Sequence, residues 1–342
     1  MNIELSIVIV SYNSFTDLQR CLPTITEQSV DFSYEIIVVD NHGADGVANW
    51  LSVSYPNIIL IVNPVNNGYA GGNNLGVQHA RGKWVFLLNP DTELRKDSLA
   101  QLMKSARDLP DALLNPKLLN PDGTINACGN QMHFTGITTC RGLNQPFNTF
   151  TTLHTIPLLS GAAIIGRAEV FRRLGGFDER YFMYFEDTDF SLRARRQGIQ
   201  LVCESRAEVV HHYTLSLSAG KFYFLERNRL LTFLKIFSRN TLRALLPALL
   251  LTELLTWVYG LRGWSFLKSR FRTYKYIWAN RSLINQEHQH LTRQLANVSD
   301  TALLAGSELS LPFASLLPKP FSSVADAILT TMYRLLIPRR LR

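Results

Sequence analysis

The sequence has 342 residues, 46% of them hydrophobic and 18% charged, so it can bury a large core and does not belong to the disordered class. Its net charge of +8 is unevenly placed: residues 1–220 carry 17 Lys and Arg against 21 Asp and Glu, whereas residues 221–342 carry 18 against 6. An acidic body therefore precedes a basic tail, which indicates an anionic partner, either nucleic acid or lipid.

The first ninety residues alternate short apolar runs with helical segments. Buried parallel strands give such continuous runs, so the alternation predicts a parallel sheet covered on both faces. The predicted strands are Leu5–Val10, Ile36–Val39, Ile58–Val62 and Trp84–Leu88, and the predicted helices are Thr16–Gln28, with its own cap, and Gly72–Ala80.

Polar residues follow three of these predicted strands. Ser11-Tyr12-Asn13, Asp40-Asn41 and Asn89-Pro90-Asp91 each come directly after an apolar run. Ligands of open parallel sheets bind beyond the carboxyl ends of the strands, so these residues are expected to line one crevice. Each group taken alone also fits an ordinary turn, because turns use the same residue types.

The second half of the body has a different pattern. Residues 110–160 are rich in Asn, Pro, Gly and Thr, which predicts irregular or short-stranded structure. Beyond them we predict strands at Ala162–Ile165 and Ala207–Val210, and helices at Ala168–Leu174 and Asp187–Gln197, the second closed by Gly198.

A glycine-rich segment opens the predicted helix near residue 72. Gly71, Gly72 and Asn73 lie in the stretch NNGYAGGNNLG, where a phosphate-bearing ligand would need close backbone approach. The stretch is not GxGxxG, and the turn after the first strand is SYNS. Both observations argue against a nicotinamide or flavin enzyme.

Two positions carry candidate metal ligands. Asp91, at the end of a strand, suits a divalent cation that bridges two phosphates, although an Asn-Pro turn whose carboxylate caps the next helix is the alternative. His211-His212 follows a predicted strand, where a neutral imidazole can complete a site begun by a distant carboxylate. A structural role is the alternative for the histidine pair.

The segment Phe182–Phe190 (FMYFEDTDF) sets three carboxylates among aromatic residues. Burial beside apolar rings and like charges both raise a carboxyl pKa, which suits a general base for a hydroxyl group. In the alternative interpretation, Asp187 and Asp189 only cap a helix.

Together these motifs resemble glycosyltransferase family 2, in particular its rhamnosyltransferase-like branch. The resemblance spans roughly residues 3–235 and is carried by SYN, VVDN, NNGYAGGNNLG, FLLNPDT, the block from SGAAIIGRAEVF to ARRQG, and VVHH, in that order. It implies a GT-A fold, a Rossmann-like and mostly parallel α/β sheet with helices on both faces, followed by a mainly helical extension. The implied domains are 1–220, with a nucleotide-sugar half (1–110) and an acceptor half (111–220), and a membrane-associating region at 221–342.

The resemblance also implies roles for individual residues. Asp187 would be the base of an inverting transfer, and Asp91 would hold Mg²⁺ or Mn²⁺ with His211 as a further ligand. Asp40 would bind the nucleoside, together with Tyr12 or Asn13. The further donor-side residues would be Ser11, Asn41, Gly71, Gly72, Asn73 and Asn89, and those on the acceptor side Gly161, Ala162, Glu186 and Asp189.

Two departures from the family pattern affect this assignment of roles. The metal motif begins with Asn89 in place of an aspartate, as is usual in this branch, so the metal would rest on one carboxylate plus the phosphates. His42-Gly43 replaces the small hydroxyl residue that commonly follows the second strand, which leaves recognition of the donor base open.

The basic tail predicts membrane association. Leu242–Leu261 is almost long enough to span a bilayer, but Arg243, Pro247 and Glu253 disfavour spanning. Phe321–Leu336 couples apolar helical spacing to the basic end PRRLR, which anionic headgroups attract. A third segment predicts an in-plane helix, with one apolar face of Trp264, Leu267, Phe271, Tyr274 and Trp278 and with Lys268, Arg270, Arg272 and Lys275 on its flanks. A helical subdomain packed on the core is the alternative, and the aromatic content argues against nucleic acid.

The leading hypothesis is thus a glycosyltransferase at the cytoplasmic face of the membrane that uses a dTDP- or UDP-sugar, with rhamnose suggested by resemblance, to extend a lipid-linked or cell-envelope glycan. The four cysteines lack CxxC spacing and the N-terminus lacks a signal-peptide pattern, which favours a reducing compartment. Two rival hypotheses are a degenerate membrane-bound assembly subunit and a nucleotidyltransferase. The latter would need a basic glycine-rich loop after the first strand, which SYNSFTDLQR is not.

Overall fold

A computed structural model describes residues 3–213, 216–294, 298–311 and 321–342. The strands are β1 Leu5–Ser11, β2 Tyr34–Asp40, β3 Ile59–Val62, β4 Trp84–Leu88, β5 Thr92–Leu94, β6 Leu113–Leu119, β7 Ile125–Ala127, β8 Asn130–Met132, β9 Thr138–Cys140, β10 His154–Thr155, β11 Ala163–Arg167 and β12 Leu201–His211. The helices are α1 Phe15–Thr26, α2 Val47–Ser54, α3 Gly68–His79, α4 Ser98–Asp108, α5 Ala168–Leu174, α6 Glu186–Arg196, α7 Ala219–Ile236, α8 Arg239–Gly260, α9 Trp264–Ala279, α10 Arg281–Gln294, α11 Asp300–Leu304 and α12 Phe321–Leu336.

The chain divides into two compact units. The first comprises Met1–Asn130, Cys140–Ala194 and Ile199–Thr214, and the second comprises Gln131–Thr139, Arg195–Gly198 and Leu215–Arg342. Residue 220, the predicted domain boundary, lies inside α7 of the second unit.

The first unit is built on a mixed sheet in the order β10-β12-β6-β11-β4-β1-β2-β3. Strands β3, β2, β1 and β4 are parallel, whereas β11 runs antiparallel between β4 and β6. Side chains alternate along β1: Leu5, Ile7 and Ile9 pack with α1, while Val8 and Val10 pack on the opposite face. The predicted α/β fold class, with a mostly parallel sheet and a helical C-terminal part, is confirmed.

Three local predictions need correction. Ser14 makes no side-chain cap on α1; instead Asp45 Oδ2 accepts a hydrogen bond from the Phe15 backbone N–H at 2.7 Å. Helix α3 begins at Gly68, four residues earlier than predicted. The third concerns residues 110–160, predicted to be irregular or short-stranded: β7 to β10 are short, but β6 is a fully buried strand of seven residues. Pro116 is tolerated in β6 because the pairing with β12 shifts register beside it.

The second unit is mainly helical, with a hydrogen-bonded ion cluster in its interior. Arg229 pairs with Glu226 (2.9 Å) and Glu253 (2.5 Å), and Arg270 pairs with the same two carboxylates. Burial raises the pKa of Glu253, but the charges of Arg229 and Arg270 lower it by more. The cluster therefore joins α7, α8 and α9 through charged groups that compensate one another.

This cluster corrects the prediction for α9. Arg270 was expected on an exposed flank but is fully buried, and the Tyr274 hydroxyl contacts Glu253 and accepts from Trp257 Nε1 at 3.1 Å. The exposed face of α9 retains Trp264, Phe271 and Trp278.

Candidate active site

The carboxyl edge of the sheet gathers buried polar atoms without partners. Among the described residues, twelve buried side-chain oxygen or nitrogen atoms lack a hydrogen bond, and seven of them belong to residues of this edge: Ser11, Asn73, Asn89, Asp91, Asn130, Glu186 and His211. Leaving such atoms unpaired is costly, so their concentration in one place indicates a ligand site.

Strand pairing brings Asp91 and His211 together from distant parts of the sequence. The contact beside them, between Glu93 and His212, joins residues 119 positions apart. Short strand β5 follows Asp91 and pairs antiparallel with the end of β12, with Thr92 opposite His211. The His212 backbone N–H then donates to the Asp91 carbonyl at 2.8 Å. The Asp91 Oδ1 and His211 Nε2 atoms lie 3.4 Å apart as a result.

The tautomer of His211 follows from a chain of amides. Asn120 donates through its amide nitrogen to the Ile125 carbonyl, so its Oδ1 accepts from Asn126 Nδ2 at 2.8 Å. Asn126 Oδ1 is thereby turned toward His211 Nδ1 at 3.2 Å. An amide oxygen only accepts, so Nδ1 carries the hydrogen and the Nε2 lone pair faces Asp91.

Two unpaired acceptors that face each other suit a cation. Metal–ligand bonds of about 2.1 Å place adjacent octahedral ligands about 3 Å apart, close to the observed separation of Asp91 and His211. Burial raises the pKa of the Asp91 carboxyl, and the surrounding donors, among them Asn89 and the His211 ring when it is protonated, lower it by more, so the carboxylate form is favoured. In the described part of the chain, no group of three or more His, Cys, Asp or Glu could hold a metal, so Asp91 and His211 form a pair without a third such side chain.

His212 differs from its neighbour because successive residues of a strand face opposite sides. Its Nε2 lies 2.6 Å from Glu93 Oε1, and its Nδ1 lies 3.3 Å from an Arg20 nitrogen. This histidine is therefore engaged away from Asp91.

Asp187 lies in the first turn of α6 and accepts hydrogen bonds from several donors. Oδ2 accepts from the Gly161 backbone N–H at 2.9 Å and from Asn130 Nδ2 at 3.3 Å, and Oδ1 accepts from the Thr188 N–H at 2.6 Å. Burial raises the pKa of Asp187, and the Gly161 and Thr188 donors offset part of that rise. A carboxylate whose pKa is raised by burial accepts a proton more readily than an exposed one, which suits a general base.

The neighbouring Glu186 has a different environment. Its Oε2 is buried without a partner, and burial followed by the charge of Asp187 raises its pKa well above the usual range. Glu186 therefore favours the neutral acid, whereas the hydrogen bonds favour ionised Asp187. The two adjacent carboxyl groups are thus distinguished by their surroundings.

Tyr69 is a site residue that the sequence did not reveal. Its hydroxyl donates to the Gly161 carbonyl at 2.5 Å, while the Gly161 N–H donates to Asp187. Burial and the nearby Glu186 and Asp187 raise the pKa of Tyr69 well above its usual value, so the hydroxyl remains a donor. Tyr69 thereby holds Gly161, the residue whose backbone N–H contacts Asp187.

Replacing Tyr69 with Phe is expected to lower kcat about 10- to 100-fold, because Gly161, whose N–H donates to Asp187, is no longer held in place. The KM for the sugar donor should change little. The acid limb of the pH–rate profile should also move. Tyr34→Phe is the matched control, since the Tyr34 hydroxyl lies 3.5 Å from the Ile25 carbonyl and plays no part in this edge. Equal kcat values and pH profiles for Tyr69→Phe and wild type would refute the positioning role.

The backbone before Asp187 is held in an unusual conformation. Phe182, Tyr184 and Phe185 all have φ between 64° and 70°, a region that non-glycine residues rarely adopt. Part of this segment packs against the start of α3, where a Cβ on Gly68 would lie 2.2 Å from the Phe182 carbonyl oxygen. Such strain clusters at functional sites.

The predicted donor-side residues lie at the same edge. Tyr12 is half-exposed at the end of β1, Asn13 Oδ1 accepts from the Ala44 N–H, and Asp40 Oδ1 accepts from the Gly43 N–H. Asn41 is buried and uses its amide to bind the loop that contains Asn63 and Asn66. Their contacts with a donor stay predictions.

The glycines of α3 are explained by close packing within the fold. A Cβ on Gly72 would lie 2.6 Å from a Val10 methyl carbon, and one on Gly76 would lie 2.3 Å from a Val8 methyl carbon. Their small size thus permits close packing of α3 on β1, and a donor contact is not needed to explain Gly72. A Cβ on Gly71 would instead lie 2.5 Å from the Asn67 side chain. Asn73, by contrast, keeps a buried Oδ1 without a partner.

Asp189, predicted on the acceptor side, lies instead in the interior. Its Oδ2 pairs with Arg193 Nε at 2.8 Å, and Arg193 in turn donates to the carbonyls of Leu174 and Gly176. An α-helix has about 3.6 residues per turn, so residues two apart do not share a face, and Asp189 points away from Asp187. Ala162 contributes its carbonyl to the Asn89 N–H at 2.9 Å.

Comparison with known proteins identifies relatives of this architecture. The family model described as Glycosyl transferase family 2 matches residues 6–175. The N-acetylglucosaminyl-diphospho-decaprenol L-rhamnosyltransferase of Mycobacterium tuberculosis is 30% identical over 236 residues, which is 61% of this chain and 76% of that protein.

Solved structures share the fold at low sequence identity. GalNAc-T7 with UDP, GalNAc and Mn²⁺ is 17% identical with a TM-score of 0.58, over 69% of this chain and 48% of that one, so the chain spans about half of that protein. S. aureus TarS 1-349 in complex with UDP is 16% identical with a TM-score of 0.52, over 98% of this chain and 90% of that one.

Proposed function

The chain belongs to glycosyl transferase family 2, and from that premise we propose that it transfers a sugar from a nucleoside diphosphate donor to a glycan or lipid-linked acceptor, with inversion at the anomeric carbon. The observation that carries the proposal is the presence of two different groups at one sheet edge. Asp187 is a hydrogen-bonded carboxylate, and Asp91 with His211 presents two unpaired acceptors 3.4 Å apart.

The proposed step is a single displacement. An acceptor oxygen bonds to the anomeric carbon on the face opposite the leaving group, and the bond from that carbon to the diphosphate oxygen breaks. The hydroxyl proton passes to an Asp187 oxygen, and the bonding electron pair leaves with the diphosphate. Attack from the opposite face inverts the configuration.

The proposed cofactor is Mg²⁺ or Mn²⁺, held by Asp91 and His211. A divalent cation there supplies charge compensation for the departing diphosphate. The GalNAc-T7 structure contains Mn²⁺ with UDP, which supports this proposal through shared fold alone.

The proposed donor is a dTDP- or UDP-sugar, and the proposed setting is cell-envelope polysaccharide synthesis. The M. tuberculosis relative is named for L-rhamnose transfer to a decaprenol-linked sugar, which favours rhamnose and a lipid-linked acceptor here. An acceptor of that kind resides in a membrane, so we place the enzyme at the cytoplasmic face, in agreement with its basic C-terminal region.

Ligand-dependent thermal stability tests this proposal. A nucleotide that binds the native state is expected to stabilise it by about 2.7 kcal/mol at about 100 times its Kd, and the shift should require Mn²⁺ or Mg²⁺. Larger shifts with dTDP than with UDP would support rhamnose, and the converse would favour a UDP-sugar. Unchanged Tm with every nucleotide and metal, together with no donor turnover, would refute the proposed function.

A further inference from the structure

Helix α8 presents large apolar side chains on its outward face. Among the described residues it is the one helix long and apolar enough to cross a membrane by length and composition, with a mean hydropathy of 1.4 over its most apolar window. Its exposed side chains form one stripe and are 50–69% exposed, with the last of them just past the helix: Leu246, Leu250, Leu254, Val258 and Leu261.

The inward face of α8 has the opposite character. Its buried positions are small or polar: Thr241, Ala248, Thr252, Thr256 and Gly260, with Leu245 the one large apolar residue among those described as buried. Glu253 also turns inward, to Arg229 and Arg270. A helix in water buries its apolar stripe and exposes its polar one, so this arrangement is inverted.

Inverted helices are characteristic of contact with lipid. In a bilayer, small residues pack between helices, polar and charged groups face the protein interior, and large apolar residues face outward. The arrangement of α8 meets all three conditions along its length.

Helix α12 extends the apolar surface. The hydroxyls of Thr252 and Tyr333 share a hydrogen bond at 2.8 Å, which joins the inward faces of α8 and α12. The outward residues of α12 again form a helical stripe: Val324, Ile328, Met332 and Leu335. We call the two outward stripes the apolar face.

Cationic side chains lie at both ends of the α8 stripe and beyond α12. Arg239 and Arg243 occupy the first turns of α8, Arg262 follows its end, and Arg339 and Arg340 follow α12. The acidic residues of these segments are Glu253, which is paired inside, and the half-buried Asp326. Arginines beside an apolar stripe are complementary to anionic headgroups above hydrocarbon.

We propose that the apolar face of α8 and α12 inserts into the surface of an anionic phospholipid bilayer, with α8 lying in the membrane plane. The in-plane orientation follows from the inward face, which is committed to protein contacts and to the ion cluster. The proposal gives the membrane address of the proposed function a specific surface, and it does not depend on sugar transfer.

Flotation of the full chain with vesicles tests the proposal. Wild type is expected to float with phosphatidylglycerol-containing vesicles and much less with phosphatidylcholine alone. Leu250→Glu/Leu254→Glu should weaken binding by about tenfold or more at unchanged Tm, since both positions are exposed. The matched control is Val53→Glu/Val65→Glu, which alters two exposed valines of the first unit and should float like wild type.

Other outcomes would overturn the proposal. Flotation of the double-Glu α8 variant equal to wild type would show that α8 is not the contact. A wild-type dimer that the same variant dissociates, with no flotation of either, would assign the face to a second copy. Retention of wild type in vesicles after alkaline carbonate would contradict the in-plane orientation. A last outcome separates the two proposals. If neither wild type nor the double-Glu α8 variant transfers sugar to a water-soluble acceptor, yet wild type floats and the variant does not, the proposed function fails and the membrane contact stands.

Discussion

Replacing Asp187 with Asn is expected to lower kcat about 10³-fold, with donor binding largely retained. The amide keeps the shape of the side chain and part of its hydrogen bonding, but it cannot take a proton from the acceptor. Because burial raises the pKa of Asp187, wild-type activity should fall as pH decreases through that raised value. The residual activity of Asp187→Asn should lack this acid limb. Steady-state rates across pH measure both effects.

Asp111→Asn provides the control for Asp187→Asn, because it makes the same change at an exposed carboxylate of the first unit. It should leave rate and pH profile as in wild type. Glu186→Gln distinguishes the two adjacent carboxyl groups, since glutamine imitates the neutral acid that the surroundings of Glu186 favour. A greater loss in Glu186→Gln than in Asp187→Asn would reverse the assignment of the base.

Replacing His211 with Ala is expected to raise the Mn²⁺ concentration needed for half-maximal activity at least about tenfold, because one of the two proposed protein ligands is lost. Asp91→Asn should have an equal or larger effect, since the charge is lost as well. Metal titrations of donor turnover and of nucleotide-induced thermal shifts measure the change independently.

The adjacent histidine supplies a close control for this second experiment. His212→Ala removes the same side chain one residue away, but His212 contacts Glu93 and Arg20 in place of Asp91. It should leave the metal titration unchanged. If His212→Ala shifted the titration and His211→Ala did not, the metal assignment would be wrong.

Much of the first unit could be predicted because its central strands are continuous apolar runs. Strand β4 occurs at the predicted residues, and β1 and β2 differ by one or two residues at their ends. β6 could not be found because Pro116 signals a strand break, and only the register shift opposite it makes it acceptable. The first half of β12 was missed because Glu204 looks like a surface residue; it is fully buried and paired with Arg206 and Ser105.

In the candidate site, too, residues marked by a local sequence pattern could be predicted, whereas residues that act through distant partners could not. Asp91, Asp187 and His211 stand out because each follows or opens a predicted element. Tyr69, Asn126 and Asn130 act through partners 92, 85 and 57 residues away, and no local pattern encodes those distances. Arg270 was misplaced for a similar reason, because periodicity describes the face of a helix but not the carboxylates that another helix places against it.

The way His211 is oriented has a consequence for how this centre responds to acid. Many metal-binding histidines are aligned by a carboxylate, and protonation of that carboxylate releases the ring. Here the aligning groups are Asn120 and Asn126, and a carboxamide has no proton to gain or lose in the physiological range. Acidification therefore leaves the groups that align the ring unchanged, and loss of metal from the proposed site at low pH would report protonation of the proposed ligands themselves.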